Sequence, residues 1–152
     1  MKTKLLSAVL VTLTCAFAFS LHAGTAEQEK AFLDKYKAAY EAGDKATLES
    51  FLYAKGAHPK ALEFFKMMQL LGAGSKIGKI ELIDLSPEEA KQAEAVNEMP
   101  DGQKAKLPLK PTKKLKISAE TNDASSNSSS SNSCLVAEKD GKFVIPVPVP
   151  AK

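Results

Sequence analysis

The spacing of apolar residues changes once along this chain of 152 residues, close to Gly72-Ala73-Gly74. Before this point, apolar residues recur at intervals of three and four, which predicts amphipathic helices. After it, short stretches alternate apolar with polar residues, which predicts strands that have one buried face. A chain with helices first and strands afterwards is expected to form a segregated α+β domain.

Three helices are predicted in the first part, over 27–42, over 45–53 and from Pro59 to about Leu71. Gly43 suits the left-handed position that ends a helix, and Asp44 follows as an N-cap. The residues expected to face inward from these helices are Phe32, Leu33, Tyr36, Tyr40, Leu48, Phe51, Leu62 and Phe65.

The second part predicts strands over 77–85, 104–110, 114–121, 133–138 and 142–147. Ser86-Pro87-Glu88-Glu89 has the form of a capping box, which predicts an extra short helix over 87–97, between the first two strands. Pro100-Asp101-Gly102 and Lys139-Asp140-Gly141 are turn signals, and the second predicts a tight hairpin. Inward-facing residues are expected to be Ile80, Leu82, Leu115, Ile117, Leu135, Val136, Phe143 and Ile145.

Residues 121–133 read TNDASSNSSSSNS and contain no large apolar side chain. Because nothing in this stretch can offset the entropy of ordering it, we expect a mobile loop. The prolines at 146, 148 and 150 predict an edge strand that runs out into a tail over 149–152.

Residues 1–23 have the pattern of a secretory signal peptide, with Lys2 and Lys4 before an uncharged apolar segment over 5–21. Cleavage is expected after Ala23 or after Ala26, which leaves a single domain over 27–148 and a periplasmic or secreted protein. The apolar segment is too short and too rich in Ser and Thr for a stable membrane span.

All the basic residues are lysine, and removal of Lys2 and Lys4 lowers the formal charge from +3 to +1. The absence of arginine, the side chain best suited to grip phosphate, argues against a nucleic-acid partner. Only Cys134 and His58 remain beyond the signal, and they lie far apart in sequence. We therefore expect no metal site and no cofactor.

Two stretches, FLDKYKAAYEAGDKATLESFL over 32–52 and LVAEKDGKFVIPV over 135–147, resemble the nuclear-transport-factor-like superfamily, the cystatin-like α+β cone. The resemblance implies helices packed on a strongly curved antiparallel sheet of four to five strands, with a pocket between them. Enzymes of the superfamily similar to ketosteroid isomerase carry a carboxylate base and an oxyanion donor in that pocket. No residue here matches such a motif, so no catalytic residue is assigned.

By position, the candidate pocket residues are Tyr36, Tyr40, Met67 and Met68. Two interpretations stay open for such a pocket. The first is a non-catalytic module that binds a small apolar ligand or an envelope protein and is compatible with a homodimer. The second is an enzyme of the isomerase or lyase type, which would need an inward carboxylate or tyrosine with a shifted pKa.

A third interpretation concerns the lysines of the central strands, namely Lys104, Lys106, Lys110, Lys114 and Lys116. They fall mostly on one side of the alternation and could form a basic surface for an anionic partner such as an envelope surface. The simpler alternative is the solvent-facing side of a half-buried sheet.

Overall fold

The computed structural model describes residues 24–99, 102–123 and 126–151, with side chains described outside 119–130. In this part the chain is a mixed α+β fold with four helices, a five-stranded sheet and a three-stranded sheet. The elements are α1 Ala26–Ala42, α2 Lys45–Ser50, β1 Leu52–Tyr53, α3 Pro59–Leu70, β2 Ile77–Asp84, α4 Pro87–Ala93, β3 Asn97–Glu98, β4 Lys104–Lys106, β5 Pro111–Asp123, β6 Ser126–Lys139, β7 Lys142–Pro146 and β8 Val149–Pro150.

The helix ends follow the capping signals of the sequence. Gly43 ends α1 in the left-handed conformation at φ 63°, and the Asp44 side chain accepts a hydrogen bond from the Thr47 amide. Ser86 and Glu89 form the predicted capping box at the start of α4. These local predictions are confirmed.

The larger sheet has the strand order β1-β7-β6-β5-β2, in which all pairs except β1 with β7 are antiparallel. The predicted hairpin is confirmed, since Lys139 pairs with Lys142 around Asp140 and Gly141. Both turn residues have positive φ, 52° and 70°, as a type I′ hairpin turn requires. The smaller sheet has the order β3-β4-β8.

The core is centred on aromatic side chains of α1. The ring of Phe32 lies 5.2 Å from the ring of Phe51 and 5.8 Å from that of Phe143, which joins α1 to the end of α2 and to β7. Ten of the predicted core residues are buried: Phe32, Tyr36, Tyr40, Leu48, Phe51, Leu115, Ile117, Val136, Phe143 and Ile145. Leu33, Phe65, Ile80 and Leu82 are partly buried against this cluster. Leu62 and Leu135 are half-buried outside it, and Ile77 is a further core residue that was not predicted.

One charged side chain helps to hold α1 on the sheet. The ammonium of Lys113 on β5 lies 2.9 Å from carboxylate oxygens of both Glu29 and Asp84, and Lys113 is only 8% exposed. Hydrogen bonding to Asp84, followed by that to Glu29, raises the pKa of Lys113. The lysine therefore remains charged and links α1, β2 and β5.

Several predicted boundaries are wrong. The short helix predicted over 87–97 ends at Ala93, since Asn97 and Glu98 pair with β4 as β3. The strands predicted over 114–121 and 133–138 extend over Pro111–Asp123 and Ser126–Lys139, and the strand predicted over 142–147 ends at Pro146. The second helix ends at Ser50, and Leu52 and Tyr53 instead pair with Ile145 and Pro146. The strand expected over 104–110 stops at Lys106. The tail expected at 149–152 contains β8, which pairs with β4.

Residues 121–133 are not a loop in the described structure. The β5/β6 register continues through this stretch as far as Asp123 opposite Ser126, so backbone pairing replaces the side-chain packing that the stretch lacks. Because β2 ends its pairing at Ala119, residues 120–123 and 126–129 form a two-stranded extension, here called the outer hairpin. The mobility of this segment stays a prediction. The turn at Pro100-Asp101 and the signal pattern at 1–23 lie outside the described residues.

Truncation of Phe32 tests the aromatic core. Phe32→Ala should lower the free energy of unfolding by about 3–5 kcal/mol, because a buried ring is replaced by a cavity. Chemical denaturation monitored by circular dichroism measures the change. Leu71→Ala is the control, since Leu71 is 62% exposed and its truncation should have little effect. Equal effects of the two substitutions would contradict the core assignment.

Shortening the outer hairpin tests whether it contributes to folding. Ala119 and Ser130 are register partners whose backbone groups face each other, so replacing 120–129 with Asn-Gly removes the outer hairpin and closes the remaining ladder with a two-residue turn. We expect the free energy of unfolding to change by no more than about 1 kcal/mol, since loop length has a small logarithmic effect. A shortened chain that no longer unfolds cooperatively would show that the outer hairpin is required for the sheet.

Candidate functional site

A pocket of about 250 Å³ lies between α3, α1 and the sheet, and is here called the α3 pocket. Most of its wall is apolar, which is typical of sites for small molecules. None of its lining side chains carries a formal charge at neutral pH. The lining residues are Tyr36, Phe64, Phe65, Met68, Gln69, Leu107, Ile117, Asn132, Ser133, Cys134, Leu135 and Pro146.

Helix α3 supplies one wall of the pocket. Some of its apolar residues pack on the core, and others remain exposed beside it. Phe65 is packed against the core, whereas Phe64 is 52% exposed and contributes to the pocket. Its ring centre lies 6.1 Å from that of Phe65, in an edge-to-face arrangement. The exposed ring therefore belongs to the entrance of the pocket.

The polar group at the bottom of the pocket is already paired. The hydroxyl of Tyr36 donates a hydrogen bond of 2.7 Å to the side-chain oxygen Oε1 of Gln69, and both residues are buried. Burial is the main reason that the pKa of Tyr36 is raised, and Cys134 and Tyr40 add to the effect. The phenol is therefore protonated at neutral pH and is a donor, not a base.

Cys134 presents the second ionisable group of the pocket. It is partly buried, and burial raises the pKa of its thiol from 9.0 to about 12. A thiol with this pKa is almost entirely protonated at neutral pH and is a weak nucleophile. Neither ionisable group of the pocket can therefore act as a general base near pH 7.

Strand β6 contributes four consecutive residues to the lining, from Asn132 to Leu135. Successive side chains of a strand point to opposite faces of the sheet, so a pocket on one face would contact only every second residue. Contact with all four means that the pocket reaches around the edge of β6. This edge is accessible because β7 leaves the sheet after Pro146.

Two of the four predicted pocket residues line the α3 pocket and two do not. Tyr36 and Met68 contribute to the wall. Tyr40 is buried in the core, where its hydroxyl donates to the Leu71 carbonyl oxygen at 2.9 Å. Met67 is 59% exposed and lies outside the lining. Met67 and Met68 are adjacent in a helix, so their side chains point in different directions and only that of Met68 faces the pocket.

The pocket residues that the sequence pattern does not predict come from distant parts of the chain. Gln69 follows Met68 in α3 and is visible in sequence only as a polar residue near an apolar face. Leu107, Asn132 and Pro146 meet through the departure of β7 and the return of the chain to β8, which no local pattern indicates. Pro146 was the available signal, since proline interrupts strand pairing.

The five predicted surface lysines do not behave alike. Lys110 pairs with Glu94 at 2.6 Å, and Lys114 pairs with Glu89, so these two charges are compensated. The hydrogen bond from Lys114 is the main reason that the pKa of Glu89 is lowered. Lys104, Lys106 and Lys116 are exposed and have no ion pair with a described residue.

These lysines are also divided between the two sheets. Lys104 and Lys106 lie on β4, whereas Lys114 and Lys116 lie on β5. Lys116 is the register partner of Ser133, a lining residue of the α3 pocket, and Lys106 directly precedes Leu107, another lining residue. Two uncompensated positive charges therefore belong to the segments that border the pocket.

His58 has a structural position. It is 4% exposed at the start of α3, its Nε2 lies 3.0 Å from Oε1 of Gln103, and its amide donates to the Pro148 carbonyl.

Within the described ranges there is no group of three or more His, Cys, Asp or Glu residues that could hold a metal ion. The same ranges contain no helix that is both long enough and apolar enough to cross a membrane.

A second depression of about 460 Å³ runs between α1 and the β6/β7 hairpin, with Lys35 and Lys142 in its lining. Its aromatic residues are Phe32, Phe51 and Phe143, each no more than 6% exposed. These rings are occupied by their contacts in the core and offer little surface to a ligand. The α3 pocket is therefore the better candidate.

Comparison of the chain with family models, with curated proteins and with solved structures gave no significant match.

The raised pKa of Cys134 predicts a loss of stability at alkaline pH. The unfolded chain releases the thiol proton near pH 9.0, whereas the folded chain holds it to about pH 12, so the free energy of unfolding falls as the pH rises through this interval. The slope from this group is at most about 1.4 kcal/mol per pH unit. Chemical denaturation at a series of pH values measures it.

Cys134→Ala is the control for this measurement. Between pH 9.0 and pH 10.0, the free energy of unfolding of this variant should fall less steeply than that of the unchanged protein. The comparison stops at pH 10.0, the ordinary pKa of tyrosine, because the tyrosines of the unfolded chain begin to ionise there. Parallel curves for the two proteins would show that the thiol is not protected by burial.

Proposed function

We propose that this chain is an exported, non-catalytic binding module that holds a small apolar group in the α3 pocket. The observation that carries the proposal is an apolar pocket whose two ionisable lining groups, Tyr36 and Cys134, are both neutral near pH 7. A cavity of roughly 150 Å³ can bind benzene. The larger α3 pocket accordingly suits one aromatic or branched aliphatic group.

The alternative, an isomerase or lyase, is less well supported. That chemistry needs a positioned base, and the pocket lining contains neither a carboxylate nor a histidine. The phenol of Tyr36 is committed to Gln69, and its raised pKa opposes ionisation. Such a site is suited to binding a neutral group with one hydrogen-bonding function.

The proposal includes the finer fold and location inferred from the sequence. We take the five-stranded sheet to be curved around α1 as in the nuclear-transport-factor-like cone, with the pocket on its concave side. Export to the periplasm or the medium follows from the signal pattern at 1–23. The position of α1, α2 and α3 before the strands β2, β5, β6 and β7 supports the interpretation as a cone.

Binding of a neutral apolar fluorophore tests the proposal. N-phenylnaphthylamine should increase in fluorescence on titration with the protein lacking 1–23, and Phe64→Ala should weaken its binding about five- to tenfold by removing apolar contact area. Met67→Ala is the matched control, because Met67 is on the same helix and equally exposed but does not line the pocket. The control should bind like the unchanged protein.

Protection of Cys134 gives an independent measurement. It is the only cysteine outside 1–23, so a thiol reagent reports on the pocket alone. The fluorophore should slow the reaction of Cys134. Absence of binding, or equal weakening by both substitutions, would contradict a ligand in the α3 pocket.

A further inference from the structure

The α3 pocket lies beside backbone groups of β6 that no described strand pairs. Lys139 and Lys142 flank a two-residue turn, so the backbone groups of Lys139 and of every second residue before it point towards β7. The amides of Ile145 and Val147 donate to the carbonyl oxygens of Phe51 and Tyr53, at 2.8 and 3.2 Å, so these two residues face away from β6 and the residues between them face it. By this alternation, Ser131 and Ser133 direct their N–H and C=O groups to the β7 side.

Strand β7 does not reach these two residues. Its pairing with β6 ends at Ala137, and the same register would place Pro146, which has no N–H, opposite Leu135. The chain then turns away to form β8 in the other sheet. Ser131 and Ser133 are exposed, and their outward backbone groups, here called the open edge, have no strand partner in the described structure.

The open edge and the α3 pocket are continuous. Asn132 to Leu135 line the pocket, and Ser133 belongs to both. An added strand would satisfy the backbone groups of the open edge, and its alternate side chains would point to opposite faces of the sheet. One of its side chains would enter the pocket on the side of Tyr36 and Ile117, and its neighbours would face the opposite side.

Positive charge on that opposite side favours acidic residues next to the apolar residue of the added strand. Lys116 pairs in register with Ser133 and follows the buried Leu115, so it lies on the face away from the core, and it is exposed. Lys106, next to Leu107 of the pocket, is also exposed, and neither lysine has an ion pair with a described residue. An acidic side chain next to the apolar one would meet Lys116, and the charge of Lys106, adjacent in sequence to a lining residue, adds to the attraction.

We propose that the open edge and the α3 pocket together bind an extended acidic peptide segment, which adds as a strand along Ser131 to Ser133 and inserts one large apolar side chain into the pocket. The inference rests on the proposed function, since it uses the same pocket, and it identifies the occupant as part of another polypeptide.

A blocked peptide of sequence Thr-Thr-Glu-Phe-Glu-Thr-Thr tests the proposal with the protein lacking 1–23. Isothermal titration calorimetry should detect binding, and replacing the peptide's Phe by Gly should weaken it at least tenfold. Replacing both Glu by Lys should weaken it at least fivefold. Hydrogen exchange at the amides of Ser131 and Ser133 should slow when the peptide is bound.

Two series separate strand addition from simple apolar binding. N-methylation of the peptide, one residue at a time, should abolish binding at alternate positions, because every second residue donates to the open edge. Lys116→Glu should weaken binding at least fivefold. Lys142→Glu is the control, since Lys142 is exposed and lines the second depression, between α1 and the β6/β7 hairpin. The affinity of this variant for the peptide should be unchanged.

The possible failures are distinguishable. If N-phenylnaphthylamine binds in the pocket but the peptide does not, the peptide proposal is overturned and the proposed function stands. If neither binds, both fail. Tolerance of N-methylation at every position, or an unchanged affinity of Lys116→Glu, would contradict acidic strand addition. Protection of Ser131 and Ser133 by dimerisation without peptide would assign the edge to a second copy and overturn the proposal.

Discussion

The packing of the helices on the larger sheet depends on the contact of Phe32 with the rings of Phe51 and Phe143. This contact brings α1, the end of α2 and the β6/β7 hairpin together within a single cluster. One turn further along α1, Tyr36 is then placed over the sheet near Cys134, where its hydroxyl can reach Gln69 of α3. The bottom of the α3 pocket is thus built by side chains whose positions follow from core packing, which limits how far they can rearrange.

The pocket itself arises because one strand is short. A longer β7 would cover Ser131 and Ser133 and fill the space beside β6. Proline at 146 opposes such an extension, because it cannot donate to the ladder, and the chain continues instead to the small sheet. His58 helps to fix this path, since its amide donates to the Pro148 carbonyl at 2.9 Å. The site is accordingly a consequence of sheet topology as much as of any side chain.

The sequence predicts the helices, the hairpin at Asp140-Gly141 and most of the core, since these depend on local spacing, caps and turns. It does not predict that β5 and β6 pair through residues 121–133, because the composition of this stretch indicates a loop whereas the pairing uses backbone groups. It finds Tyr36 and Met68 but not Asn132 or Leu107, because the pocket is made by long-range pairing that leaves no periodic signal. Tyr40 and Tyr36 look equivalent in sequence. Only the packing of α3 shows that one hydroxyl meets the Leu71 carbonyl and the other meets a pocket residue.

The distribution of charge around the site depends on which lysines have partners. Glu89 and Glu94, from α4 and the residue that ends it, compensate Lys114 and Lys110, so the short helix fastened by the capping box also neutralises part of β5 and the segment before it. Lys106 and Lys116 are left uncompensated on the segments that border the pocket. Exposed charges of this kind act over about 8 Å at physiological salt and mainly speed the encounter with an oppositely charged partner. Binding in the uncharged pocket, in contrast, is stabilised mainly by the removal of apolar surface from water. A peptide with acidic side chains on either side of one large apolar side chain would use both surfaces, whereas a small neutral ligand would use the pocket alone.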